Sequence, residues 1–203
     1  ELRGGLAGIS RERIGQEMRK LLLAPDPAPA LRLMDQTGVL EMVLPDPTPG
    51  RFFGFEALGG NPSLWLGRLA ALSQGDMAQA LRLSRHDARA HGRLVTAMQK
   101  GWSFNRIAYH LDDPLAEAAA LLVQIADDGE GGTVIRPRPG WHEASAAARR
   151  GRLPVSAADL QPHLQGPALG LGLKAAEDAW IDSGFTLAPS ELIKAALRTG
   201  KEK

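Results

Sequence analysis

Leucine and alanine supply 30 and 31 of the 203 residues, against only 6 valines and 7 isoleucines. This imbalance constrains the fold more than any other feature of the chain. Small and straight side chains lose little freedom in a helix, whereas the β-branched residues that pack well on a pleated sheet are scarce. The chain is therefore expected to be all-α. Glycine and proline together make up 37 of the 203 residues, above the roughly 12% of average usage. That excess fits many short helices with sharp ends better than one long bundle. With 44% apolar residues the chain has enough material for a core.

Capping signals divide it. Ser10 caps a helix to about Leu23, with Ile14, Met18, Leu21 and Leu22 on one face. Pro25 and Pro27 stop it. A second helix covers 28–37 and is closed by Gly38, and 40–44 forms one further turn. The Pro- and Gly-rich stretch 45–60 reads as loop, with Phe52, Phe53 and Phe55 turned inward. Asn61-Pro62 is a cap followed by an N1 proline, and opens a helix to about Gln74. Asp76, Ser84 and Ser103 cap helices reaching Leu83, Gly101 and Leu111, and Asp113-Pro114 opens one to about Asp128. Residues 129–155 change character. Arg136-Pro137-Arg138-Pro139-Gly140 is the hinge candidate, Thr133 to Ile135 is at most a short extended piece, and a short helix spans 142–150. Ser156 caps a helix to about Leu164, Gly166-Pro167 opens a longer one ended by Gly184, and Pro189 starts the last. The expected division is therefore 1–128 and 129–203.

Several classes are excluded. The longest apolar run is six residues, 118–123, far below the ~20 of a membrane span. There is no cysteine, so there is neither a disulfide scaffold nor a thiolate zinc site. No leader opens the chain, and a cytoplasmic location is expected. It begins at Glu1 rather than Met, as a cut chain would. Two-metal nucleotidyl transfer needs carboxylates two apart on a strand. The one such pair, Asp128 and Glu130, follows a helix in a Gly-rich stretch and reads as a helix end. His86-Asp87 is a pair used by metal phosphohydrolases, but His86 is the first histidine, so the upstream ligand is missing. No catalytic residue, metal site or cofactor is assigned. Neither Gly-x-Ser-x-Gly nor a P-loop is present.

The basic residues are more informative. Net charge is +1, with 18 arginines against 6 lysines. Arginine forks suit phosphate, although a GC-rich coding sequence gives the same bias. Arg82, Arg85, Arg89, Arg93, Lys100 and Arg106 fall in one window whose only acid is Asp87, so the window carries +5. Arg85, Arg89 and Arg93 are spaced i, i+4, i+8 along one helix face. Acidic side chains from elsewhere or phosphates are the two candidates for what lies against them. Gly166-Pro167 opens a helix whose free N–H groups also suit phosphate, with an ordinary helix start as the alternative.

Two segments carry a family resemblance. Ile9-Ser10-Arg11-Glu12-Arg13-Ile14-Gly15-Gln16-Glu17, followed by Gly38-Val39-Leu40-Glu41 and Leu44-Pro45, resembles the neck of the bacterial tRNA nucleotidyltransferase and poly(A) polymerase family. Leu153-Pro154-Val155-Ser156-Ala157-Ala158-Asp159-Leu160, then Gly166-Pro167-Ala168-Leu169-Gly170, Trp180-Ile181 and Gly184-Phe185, resembles its C-terminal region. Ala157 departs from the family's usual glycine. The resemblance implies an all-helical neck and body over 1–128 and a tail over 129–203 that hold tRNA or another RNA. The catalytic head, with its magnesium, would precede this chain, which alone is expected to add no nucleotide. Ser10, Glu12, Arg13 and Glu17 match the neck motif, with an implied bracing role. Arg85, Arg89, Arg93, Gly166, Gly170 and Lys174 are the candidate RNA contacts. The rival reading is a helical protein-interaction module without an RNA role.

Overall fold

The computed structural model describes residues 8–127 and 151–200. They form helices α1 (Arg11–Leu22), α2 (Ala28–Gln36), α3 (Val39–Val43), α4 (Pro49–Ala57), α5 (Trp65–Leu72) and α6 (Met77–Ala80). After these come α7 (Arg85–Gln99), α8 (Phe104–His110), α9 (Leu115–Asp127), α10 (Ala157–Leu160), α11 (Gly166–Asp182) and α12 (Pro189–Gly200). No strand occurs among the described residues, so the fold class is all-α. No described helix is long and apolar enough to cross a membrane. The pair Asp128/Glu130, the extended piece at 133–135, the hinge at 136–140 and the helix at 142–150 lie outside the described residues.

The described residues fall into two compact units: 8–102 with 112–127, and 103–111 with 151–200. In the first, α5 is the central helix, with every residue from Leu66 to Leu72 buried. It packs against α4, α7 and α9. Phe52, Phe55, Leu64, Leu94 and Leu122 are fully or almost fully buried in this unit. One of the enclosed side chains is charged. Arg68 is fully buried, and its guanidinium pairs with both carboxylate oxygens of Glu56 at 2.9 and 2.7 Å. It also donates to the Leu22 and Ala24 carbonyls at 2.7 and 2.8 Å. Those carbonyls end α1, where no intrahelical donor remains. A lone arginine in the apolar run 64–72 was the available signal, and sequence reasoning passed over it.

The stretch 45–60 is corrected from loop to helix over Pro49–Ala57. Its proline sits in the first turn, where a missing N–H costs nothing. Phe52 and Phe55, three residues apart, then share one face and are both fully buried. The helix expected from Asn61 opens as a 3-10 turn over Pro62–Leu64, and its α-helical part ends at Leu72. There the Thr48 hydroxyl donates to the Ala71 carbonyl at 2.8 Å.

In the second unit, Val155, Leu160, Ala176, Trp180, Leu192 and Ala196 form the core. Gly172 brings α11 close to α12, since a Cβ there would lie 3.5 Å from that of Ala196. Helix α10 is a single turn closed by a capping box between Ser156 and Asp159. Helix α8 joins this unit through polar contacts. Arg106 pairs with Asp178 at 2.6 Å and Asp182 at 3.1 Å. The Tyr109 hydroxyl donates to Glu177 at 2.9 Å, and burial pushes its pKa up to about 12, with help from that carboxylate.

Candidate nucleic-acid interface

Helix α7 begins where Ser84 accepts from the Asp87 N–H at 3.1 Å. Its inner face is set by Ala90, Leu94, Val95, Ala97 and Met98, all buried. That periodicity leaves Arg85, Arg89 and Arg93 on the opposite face, and all three are exposed. None has an ion pair among the described residues. Lys100, at the C-terminal cap, is exposed as well. The other cations of the window are placed differently. Arg82 faces Glu12 at 3.5 Å. Arg106 is held by two carboxylates of the second unit, so its charge is neutralised there and does not belong to the stripe.

His91 faces inward from α7, 3% exposed, and its Nε2–H donates to the Ser73 carbonyl at 3.0 Å. Burial lowers its pKa below the usual 6.5, against a smaller opposing effect of that hydrogen bond. At pH above 6.5 the ring is neutral both folded and unfolded, and its contribution to stability is fully present. As pH falls, the unfolded chain takes up a proton first, so stability is lost until the pH passes the lowered folded value. Unfolding curves from pH 8 down to 5 should show this loss. His91→Gln, which retains an N–H donor, should flatten it.

The neck residues lie on and beside α1. Ser10 caps it, accepting from the Arg13 N–H at 3.4 Å. Glu12 reaches Arg82, and Arg19 reaches Asp87 at 3.8 Å, so α1 is tied to the start of α7. Arg19 also lies 4.7 Å over the Trp65 ring, a stack sequence reasoning missed. Arg13 and Glu17 border a groove of about 710 Å³ floored by Ile14, Met18, Met34 and Val43. Glu17 pairs with Lys20 at 2.7 Å rather than with an arginine, and both are exposed. Such a pair contributes only roughly 0.2–0.5 kcal/mol. The expected brace therefore lies elsewhere, in the contact of Gly15 with the Leu81 carbonyl.

In the second unit, Gly166 starts α11 with φ +54°, a conformation that favours glycine. Gly170 is exposed with no neighbour within 4 Å of a Cβ built there. Lys174 is exposed and lies 3.8 Å from Asp178. No group of three His, Asp or Glu side chains among the described residues is placed to hold a metal ion.

No curated protein matches the chain in sequence. Residues 1–49 match the family model described as "Probable RNA and SrmB- binding site of polymerase A". The match covers α1, α2 and α3, and it supports the poly(A) polymerase family and an RNA-binding role for this stretch.

Proposed function

We propose that this chain is the RNA-holding part of a nucleotidyltransferase of the poly(A) polymerase family, one that extends tRNA 3′ ends from CTP and ATP or adds poly(A). In this reading 1–128 is neck and body and 129–203 is tail, and the partner is a cytoplasmic RNA. Magnesium would be held by a catalytic head outside this chain. One observation carries the proposal: three exposed arginines without a described carboxylate, on a helix whose first turn is tied to the stretch that matches an RNA-binding model.

Guanidinium groups one turn apart repel each other unless anions lie between them. Phosphates supply those anions and fix register without reading bases, which suits an enzyme that accepts many RNAs. Gly166, Gly170 and Lys174 would add contacts from the tail. Changing Arg85, Arg89 and Arg93 together to alanine should weaken tRNA binding. It should also flatten the log–log salt dependence by up to about 3, at ~0.9 per duplex phosphate contact. An unchanged slope, measured from low to high salt, would refute the assignment.

The second reading, a protein-binding module, is favoured by the groove beside Arg13 and Glu17. It lies within the stretch whose family description names SrmB as well as RNA. Tight tRNA binding with a steep salt slope would separate the two readings.

A further inference from the structure

Gly92 is the eighth of fifteen residues in α7, and it is exposed on the same face as the arginines. Glycine is among the poorest residues for a helix interior. Helical glycines elsewhere in the chain have a visible reason. Gly15 meets the Leu81 carbonyl, Gly67 meets Phe55 and Ala118, and Gly172 meets Leu164 and Ala196. A Cβ on Gly92 would meet nothing within 4 Å beyond its own stretch of helix, and its φ is not positive. Neither packing against described residues nor backbone conformation calls for a glycine there.

Its surroundings supply the reason. Arg89 lies one turn before Gly92, Arg85 two turns before, and Arg93 is adjacent. One turn after it, Thr96 donates its hydroxyl to the Gly92 carbonyl at 2.8 Å, so that hydroxyl is used within the helix. The position is a low point in a ridge of long cationic side chains. Successive arginines of the stripe rise about 6 Å along the axis, close to the step between consecutive phosphates of one strand. A bare backbone between guanidinium groups lets an anionic chain approach the helix closely.

We propose that Gly92 is a notch that seats the ribose–phosphate backbone of RNA against α7, with Arg85, Arg89 and Arg93 closing on its phosphates. This rests on the RNA reading above. RNA is favoured over an acidic protein helix because four exposed cations, Lys100 included, run along this face with no carboxylate partner among the described residues. Residues 1–49, tied to the same helix, match an RNA-binding model.

The test uses the full chain and a tRNA transcript lacking its 3′-terminal CCA. Gly92→Ala and Gly92→Leu should both melt at or above the temperature of the unchanged protein, since each is a better helix former. Gly92→Leu should nevertheless weaken tRNA binding by about tenfold or more, and Gly92→Ala by less. A lower melting temperature for either variant would show that the glycine serves the fold, and would overturn the proposal. So would unchanged affinity in a stable Gly92→Leu variant, the outcome expected if a protein occupies this face. The triple arginine variant is measured alongside. If it loses affinity while Gly92→Leu does not, the notch fails and the RNA reading stands; if neither loses affinity, both fail.

Discussion

Arg68→Ala should destabilise the protein by about 3–5 kcal/mol, the range for breaking a buried ion pair by removing one partner. The arginine is fully buried, and its Glu56 partner is largely enclosed. Truncation would leave a carboxylate short of its counter-charge. It would also deprive the Leu22 and Ala24 carbonyls of donors, and an unsatisfied buried group costs about 1–3 kcal/mol. Lysine should not rescue it. A single ammonium does not span a carboxylate and two carbonyls as the planar fork does. Urea unfolding of the full chain measures the effect, and a loss below about 1 kcal/mol would show that Arg68 is not the brace the geometry describes.

Gly15→Ala should be the second largest change. An added Cβ would overlap the Leu81 carbonyl oxygen, which is backbone and has no rotamer to yield. Either α1 shifts outward or the turn after α6 does. Overpacking of this kind costs typically about 1–3 kcal/mol, even though alanine is the better helix former. A shift of α1 would also part Glu12 from Arg82 and Arg19 from Asp87, the pairs that join α1 to α7. The variant should therefore melt earlier and bind tRNA less well. Melting at or above the temperature of the unchanged protein would contradict the contact.

Local chemistry was legible in the sequence. Ser10, Asp76, Ser84 and Ser103 each cap the helix expected of them, because a cap depends on three or four neighbouring residues. The exposed arginine face of α7 was legible for the same reason: its opposite face is apolar at helical spacing. The stretch 45–60 was misread because composition was weighed above position. Its prolines and glycines suggested irregular chain, yet Pro49 stands where a helix tolerates proline and the phenylalanines find a core. Partners distant in sequence were not legible at all. No local pattern tells that Arg106 meets Asp178 and Asp182, so the +5 of its window overstated the stripe. Gly92 showed the opposite limit, since a helical glycine gains meaning only once its neighbours in space are known.

Helix α8 makes the second unit discontinuous along the chain. Its residues precede α9 of the first unit, yet Arg106 bonds a residue 72 positions later and Tyr109 one 68 positions later. During synthesis α8 therefore emerges well before its partners, and the second unit closes only when nearly the whole chain is available. Such long loops slow folding. They also mean that no single cut separates the units cleanly: a fragment starting after α9 lacks Arg106, leaving Asp178 and Asp182 without their guanidinium, and Trp180 without the Tyr109 ring at 6.0 Å. Trimming the chain to its apparent tail would remove part of the tail's own core.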